Sequence, residues 1–383
     1  MFGRRITLFK LLGFEVRMDA SWLIIAALIV WTLAAGVFPA YYPGLSSATY
    51  IWMGVAGAIL LFGSIVVHEL CHSLVARRYG IPMKGITLFV FGGIAEMDDE
   101  PPSANSEFMM AIAGPLASVA IGFIFYGIEA AGRSSAPIQL TGVVAYMARI
   151  NWILAAFNMV PAFPLDGGRV LRSLLWRHNH DVRRATRTAS KIGSGFGIAL
   201  MVLGVVNLFF GHIVSAIWWF LIGMFLKSVA QAAYERVVVT SALQGEPIKK
   251  FMHTDLDTVT PETTLADLVN QHIYRNHHGM LPVLSDSNRL EGYVTSDQVK
   301  NVPRDEWPAH RVEEIVKPAT PENTVTPDTE SLEALRLMER SKNARLMVVE
   351  GGHLVAVVSM KDLMRFLATK LDLENSPDKL RAA

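Results

Sequence analysis

His68-Glu69-Leu70-Cys71-His72 lies inside an apolar run, Tyr50 to Ala76, and decides how the rest of the chain is read. On an α-helix, residues four apart share a face, so His68 and His72 can present imidazole nitrogens to one metal ion. Glu69 is one residue on, within reach of a water held by that ion. This is the H-E-x-x-H pattern, with two ligands and a general base on a single turn. The residues before it, Ile59-Leu60-Leu61-Phe62-Gly63-Ser64-Ile65-Val66-Val67, read as membrane helix. Ionisable groups in such a helix each cost roughly 2.5–3.5 kcal/mol at the bilayer centre unless paired or hydrated, which points to function rather than packing. Cys71 is the single cysteine and reads as a small buried apolar side chain; alone, it excludes a disulfide framework and a cysteine-rich zinc site.

The totals agree with a membrane setting. Of 383 residues, 51% are hydrophobic and 18% charged, too apolar for an ordinary soluble enzyme. The net charge of +1 argues against nucleic acid as a partner. Met1 to Ala20 lacks the apolar core and cleavage site of a secretory signal. Alternation in Ile6–Lys10 and Phe14–Met18 predicts two short strands flanking Gly13. Six apolar segments follow, each near the ~20 residues that span a bilayer: about Ser21–Tyr41, Tyr50–Ala76, Glu107–Ala131, Thr141–Val160, Ala189–Gly211 and His212–Val229, the last two joined by a tight turn at Gly211-His212. Lys and Arg cluster before the first span, after the second, between the fourth and fifth and after the sixth, which places both termini in the cytoplasm. His68 and His72 then fall in the cytoplasmic third of the second span. Arg149, inside the fourth span, either reaches outward or pairs with Glu129.

Between the second and third spans, Gly85 to Met97 is rich in β-branched and aromatic residues and broken by Gly92-Gly93, which predicts a membrane-associated β-hairpin. An open strand edge cannot face lipid, so it lines a protein or water-filled cavity, where an extended peptide can add as a further strand. A catalytic zinc usually takes three protein ligands. Asp166 is the best third ligand, just past the fourth span in Asn158-Met159-Val160-Pro161-Ala162-Phe163-Pro164-Leu165-Asp166-Gly167-Gly168, where two prolines stop the helix. Glu96 and His212 are weaker candidates. Asn158 can donate a hydrogen bond to an oxyanion or hold substrate backbone.

His68–His72 followed by Asn158…Pro161…Leu165-Asp166-Gly167 resembles the site-2 protease family of intramembrane zinc metalloproteases. Phe91-Gly92-Gly93 and Gly114-Pro115-Leu116-Ala117-Ser118 match as well, and the likeness covers Ile6 to about Arg236. The resemblance implies one zinc ion held by His68, His72 and Asp166, with Glu69 acting on the water. It implies a transmembrane protein as substrate; on the reading of the residues above, Phe91, Gly92, Gly93 and Asn158 are the expected substrate contacts. Many members have Asn where this chain has Ser118, and that position is assigned no role.

From Thr240 the composition turns polar and the sequence repeats itself. Thr258-Val259-Thr260-Pro261, Leu281–Leu284 and Gly292–Thr295 recur as Thr324-Val325-Thr326-Pro327, Leu346–Val349 and Ala356–Ser359. Each unit reads as helix–strand–strand–helix and is too small for a core of its own, so the two are expected to pack as one module. The pattern is similar to a tandem CBS pair, which in many proteins binds adenine nucleotides. Ser359 and Asp362 are candidates to hold a ribose; in the first unit Thr295 corresponds, with the acid one place early at Asp297.

The expected architecture is a mainly α membrane protein: six transmembrane helices with a short β-hairpin over residues 1–236, then a soluble α/β tandem CBS module over 245–372 (245–303 and 312–372) and a tail at 373–383. The expected function is intramembrane zinc endopeptidase in a multi-pass cell-membrane protein, regulated through the CBS pair, which also offers a homodimer contact. The rival is a CBS-gated metal or ion transporter using the His/Asp cluster as a transport site. Against it, the spans show no inverted repeat, and Glu69 would have no need to be acidic.

Overall fold

The first described elements are strands. β1 (Arg5–Leu11) and β2 (Phe14–Asp19) form an antiparallel hairpin that turns at Leu12-Gly13, both at positive φ. The computed structural model describes residues 5–89, 92–97, 101–276, 279–285 and 287–380, which divide into two units, Met1–Val237 and Val238–Ala383.

In the first unit, α1 (Ser21–Thr32) continues through a π turn, Leu33–Val37, into α2 (Phe38–Tyr41). The long α3 (Ser47–Arg78) follows, started by Ser46, whose hydroxyl accepts from the Thr49 N–H. Then come β3 (Met83–Phe89), β4 (Gly92–Met97), α4 (Ala104–Gly132), α5 (Ile138–Asn158), α6 (Asp166–Asn179), α7 (Val182–Phe209) and α8 (Ile213–Leu243). Among the described residues six helical stretches are long and apolar enough to cross a membrane: Ser21–Tyr41, α3, α4, α5, α7 and Ser215–Leu243. The last outruns the expected end at Val229 because Gln231, Ala232, Ala233, Glu235 and Arg236 are good helix formers that carry the helix past the apolar stretch. The expected turn before it is present, with Gly211 at φ +79° and the His212 N–H donating to Asn207 O.

The two predicted hairpins join into one four-stranded sheet, order β1-β2-β3-β4, through a parallel β2–β3 pairing (Val16 opposite Ile86, Met18 opposite Leu88). That sheet packs on one face of α3: Phe14 and Ile86 cover Leu70, and Val16 and Leu88 cover Val66. The opposite face of α3 is left for α4. Asn151 of α5 donates to Ser64 Oγ (3.2 Å) and Met147 O (2.8 Å), a buried polar link one turn before His68. Arg149 lies over the Tyr41 ring (5.2 Å) while Arg133 takes Glu129 (2.9 Å), so of the two alternatives Arg149 reaches toward the far end of the first span.

In the second unit the repeats give α9 (Leu265–Asp267), a π turn and α10 (Tyr274–Asn276), β5 (Met280–Leu284), β6 (Leu290–Thr295) and α11 (Ser296–Val299), then β7 (Lys317–Pro318), β8 (Thr324–Val325), α12 (Ser331–Ser341), β9 (Arg345–Glu350), β10 (His353–Ser359) and α13 (Met360–Leu380). The sheets run β5-β6-β7 and β10-β9-β8, and the parallel pairing of Val325 with Val348 recurs as the Val259–Val283 bridge. Each core borrows from the other repeat. Ile248 and Phe251, which lead into the first repeat, pack with Val325, Leu335 and Val358 of the second. Val312 and Ile315, which lead into the second, pack with Val259, Leu281 and Val294 of the first. Met280, Tyr293 and Met347 then join the two sheets. Helix α13 runs through Leu380, over residues expected as a tail; 381–383 lie outside the described residues.

Candidate metal centre

Helix α3 carries His68 and His72 one turn apart on the face opposite the sheet, and both are buried. Their rings meet edge to face at 4.8 Å. Each ring is fixed from behind by α4. His72 Nδ1 lies 2.6 Å from Met110 O, a carbonyl that only accepts, so Nδ1 carries the proton and Nε2 keeps its lone pair. His68 Nδ1 lies 2.9 Å from the Ser118 hydroxyl, which accepts in the tautomer that frees Nε2 in the same way. Both Nε2 atoms then face the carboxylate at the start of α6. The Nε2–Nε2 distance is 3.1 Å, and Asp166 Oδ2 lies 3.1 Å from His68 Nε2 and 3.3 Å from His72 Nε2.

Two imidazole lone pairs and a carboxylate at that spacing repel one another unless a cation lies between them. A tetrahedral zinc with bonds of about 2.0–2.1 Å has its ligands about 3.3–3.4 Å apart, so the donor set and the triangle both fit zinc and leave a fourth position open. His68, His72 and Asp166 are the group of metal-capable side chains found among the described residues.

The sequence reaches this arrangement by close packing. Asp166 opens α6 directly after the proline-broken segment 159–165, and Gly167 and Gly168 let that turn fold onto Met159 and Phe163. Gly114 of α4 lies flat on the imidazoles: a Cβ there would fall 2.2 Å from His72 Nε2 and 2.5 Å from His68 Nε2. On the other side of α3, a Cβ on Gly93 of β4 would come within 2.7 Å of Glu69 Cγ, so the strand runs against the side chain of the candidate base.

Of the other expected site residues, Gly92 and Gly93 lie in β4, the last strand of its sheet, and Phe91 lies outside the described residues. Asn158 ends α5, and its amide donates back to Leu154 O (3.1 Å). Ser118 and Gly114 are additions: only the fold brings α4 to the histidines, though both belong to the Gly114–Ser118 segment that carries part of the family resemblance. In the second unit, Ser359 and Asp362 hydrogen-bond each other, and His253 Nε2 lies 2.8 Å from Asp362 Oδ1. The Thr295 hydroxyl donates to Gln298 (2.9 Å), which makes Gln298 rather than Asp297 the counterpart of Asp362; Asp297 instead pairs with Lys300.

Residues 56–134 and 127–204 match peptidase family M50, and 248–304 and 312–369 each match the CBS domain. A Synechocystis protein named as a zinc metalloprotease is 30% identical, with 94% of each chain covered. The chain belongs to peptidase family M50. A second relative, the zinc metalloprotease Rip3 of Mycobacterium tuberculosis, is also 30% identical, over 94% of this chain and 92% of its own. The solved site-2 protease from Methanocaldococcus jannaschii is 28% identical, covering 60% of this chain and 95% of that one with a TM-score of 0.44. This M50 chain is an integral membrane zinc metalloprotease with a C-terminal CBS pair.

The Ser118 contact gives a first test on this metalloprotease. Removing the partner of a metal-bound imidazole typically costs about 10–100-fold in metal affinity. Ser118→Ala is expected to fall in that range when zinc is titrated against a chromophoric chelator. Wild-type affinity would remove the hydroxyl from the site.

Proposed function

We propose that this protein cuts a peptide bond within or near a transmembrane helix of a substrate protein, with zinc held by His68, His72 and Asp166. The observation that carries the reading is the convergence of three ligand atoms within 3.1–3.3 Å of one another, beside Glu69 and inside a bundle of apolar helices. Zinc, when bound, polarises a carbonyl and acidifies water. Glu69 takes the proton of the attacking water and passes it to the leaving amine. Asn158 steadies the substrate carbonyl or backbone with its second amide N–H. A substrate helix must first unwind, since its carbonyls are bonded to amides four residues on. Among the described residues β4 is the last strand of its sheet and lays Gly93 against Glu69, and it offers the unwound segment a strand to pair with.

The clustering of Lys and Arg supports a topology with both termini and the mouth of the site on the cytoplasmic side of the cell membrane. The CBS pair, with Thr295, Ser359 and Asp362 as candidate ribose contacts, takes an adenine nucleotide, regulates cleavage and provides a homodimer contact. The transporter rival gains nothing from membership of a metalloprotease family.

The direct test is Asp166→Ala in the full chain purified in detergent. Bound zinc measured by atomic absorption is expected to drop from about one ion per chain, the single-site stoichiometry, to a small fraction of that, and cleavage of a membrane-tethered substrate with it. Unchanged zinc content would move the third ligand elsewhere.

A further inference from the structure

We infer that one buried face of α4 is the template that sets all three proposed metal ligands, and that its third member is the ion pair Glu107–Arg172, which positions Asp166. This rests on the metal reading of His68, His72 and Asp166 given above. Glu107, Met110, Gly114 and Ser118 recur at intervals of three, four and four, so they form one stripe about three turns long, and all four are buried. Ser118 holds His68 and Met110 holds His72, while Gly114 spaces the two rings. Glu107 is the stripe's remaining polar group, and it addresses the helix of the remaining ligand.

The contact is specific. Glu107 is 0% exposed and Arg172 4%. Arg172 Nε and Nη2 both donate to Glu107 Oε1, at 2.6 and 2.5 Å. The same guanidinium lies 5.4 Å over the ring of Phe163, in the segment that leads into Asp166. Arg172 therefore grips α4 on one side and the approach to the ligand on the other, six residues (about 9 Å) along α6 from Asp166. An apolar pair of the same volume would hold two helices together as well or better, because burying opposite charges costs as much as it returns. What the planar guanidinium adds is direction: it fixes the rotation and height of α6 against α4. Asp166 Oδ2 must meet both imidazoles within 3.1–3.3 Å, so a small rotation of α6 would break the triangle.

The test compares zinc affinity with the stability of the metal-free full chain, in detergent, by chelator competition and thermal melting in chelator. The double variant Glu107→Leu/Arg172→Met removes both charges of the pair together, so its metal-free melting is expected near wild type. Its zinc dissociation constant is expected to rise about 10–100-fold, as for loss of a ligand's outer partner. Arg172→Lys keeps the charge and loses the fork, and is expected to weaken zinc several-fold; it decides the matter if the double variant does not fold. Wild-type zinc affinity in the double variant, or in Arg172→Lys, would overturn the inference and leave the pair as packing. Zinc binding that survives Asp166→Ala would sink the metal reading instead.

Discussion

Glu69→Gln is expected to abolish cleavage while leaving zinc in place. The carboxamide is the same size as the carboxylate, so it keeps the contact with Gly93 that closes the strand against this side chain. It takes no part in the proposed ligand triangle, which is built from His68, His72 and Asp166. What it lacks is basicity, and a positioned general base typically contributes about 10²–10⁴-fold to such a reaction. Turnover of a membrane-tethered substrate, followed by gel mobility of the product, should therefore drop by that factor at unchanged zinc stoichiometry. Cleavage at the wild-type rate would mean that another group handles the proton.

Gly114→Ala has the opposite signature, with zinc lost although the intrinsic helix propensity rises. In the interior of α4 the exchange gains about 0.8–1 kcal/mol of helix propensity. The added methyl, however, would fall 2.2 and 2.5 Å from the two Nε2 atoms, closer than any real contact allows. The rings cannot swing away without leaving Met110 O and Ser118 Oγ, which hold their far sides. Zinc content should fall to a small fraction of wild type, and because the overlap is there without the ion, the metal-free chain should melt lower despite the gain in helix propensity. Gly127 of the same helix makes the control, because a methyl added there would meet nothing within 4 Å: Gly127→Ala should keep its zinc. Full zinc occupancy in Gly114→Ala would show that α4 does not press on the imidazoles.

Local periodicity makes much of this legible. His68, Glu69 and His72 declare themselves because a four-residue spacing on one helix is itself a geometry, and Asp166 because prolines and glycines mark an exit from a span. The six spans follow from apolar length, though their ends slip where polar helix formers continue a helix, as after Val229. What stays hidden depends on partners far apart in sequence. Nothing in Val16 or Ile86 announces a parallel pairing between two hairpins, and nothing in Ser118 announces His68, fifty positions earlier. Glu107 and Arg172 read separately as a helix-start acid and one of many basic residues beside the membrane; only their meeting, 65 positions apart, gives them a role. Gln298 escapes a search for an acid and leaves Asp297 in its place, because the position needs only an acceptor.

The exchange of leading segments between the CBS repeats bears on what a single repeat can do alone. Ile248 sits in a core made mainly by the second repeat, and Val312 in one made mainly by the first. A lone copy would leave its own leading residues stranded and its central strands uncovered. A single repeat produced alone is therefore expected to need a second molecule to supply the missing leading segment, so that the intramolecular exchange becomes an intermolecular one.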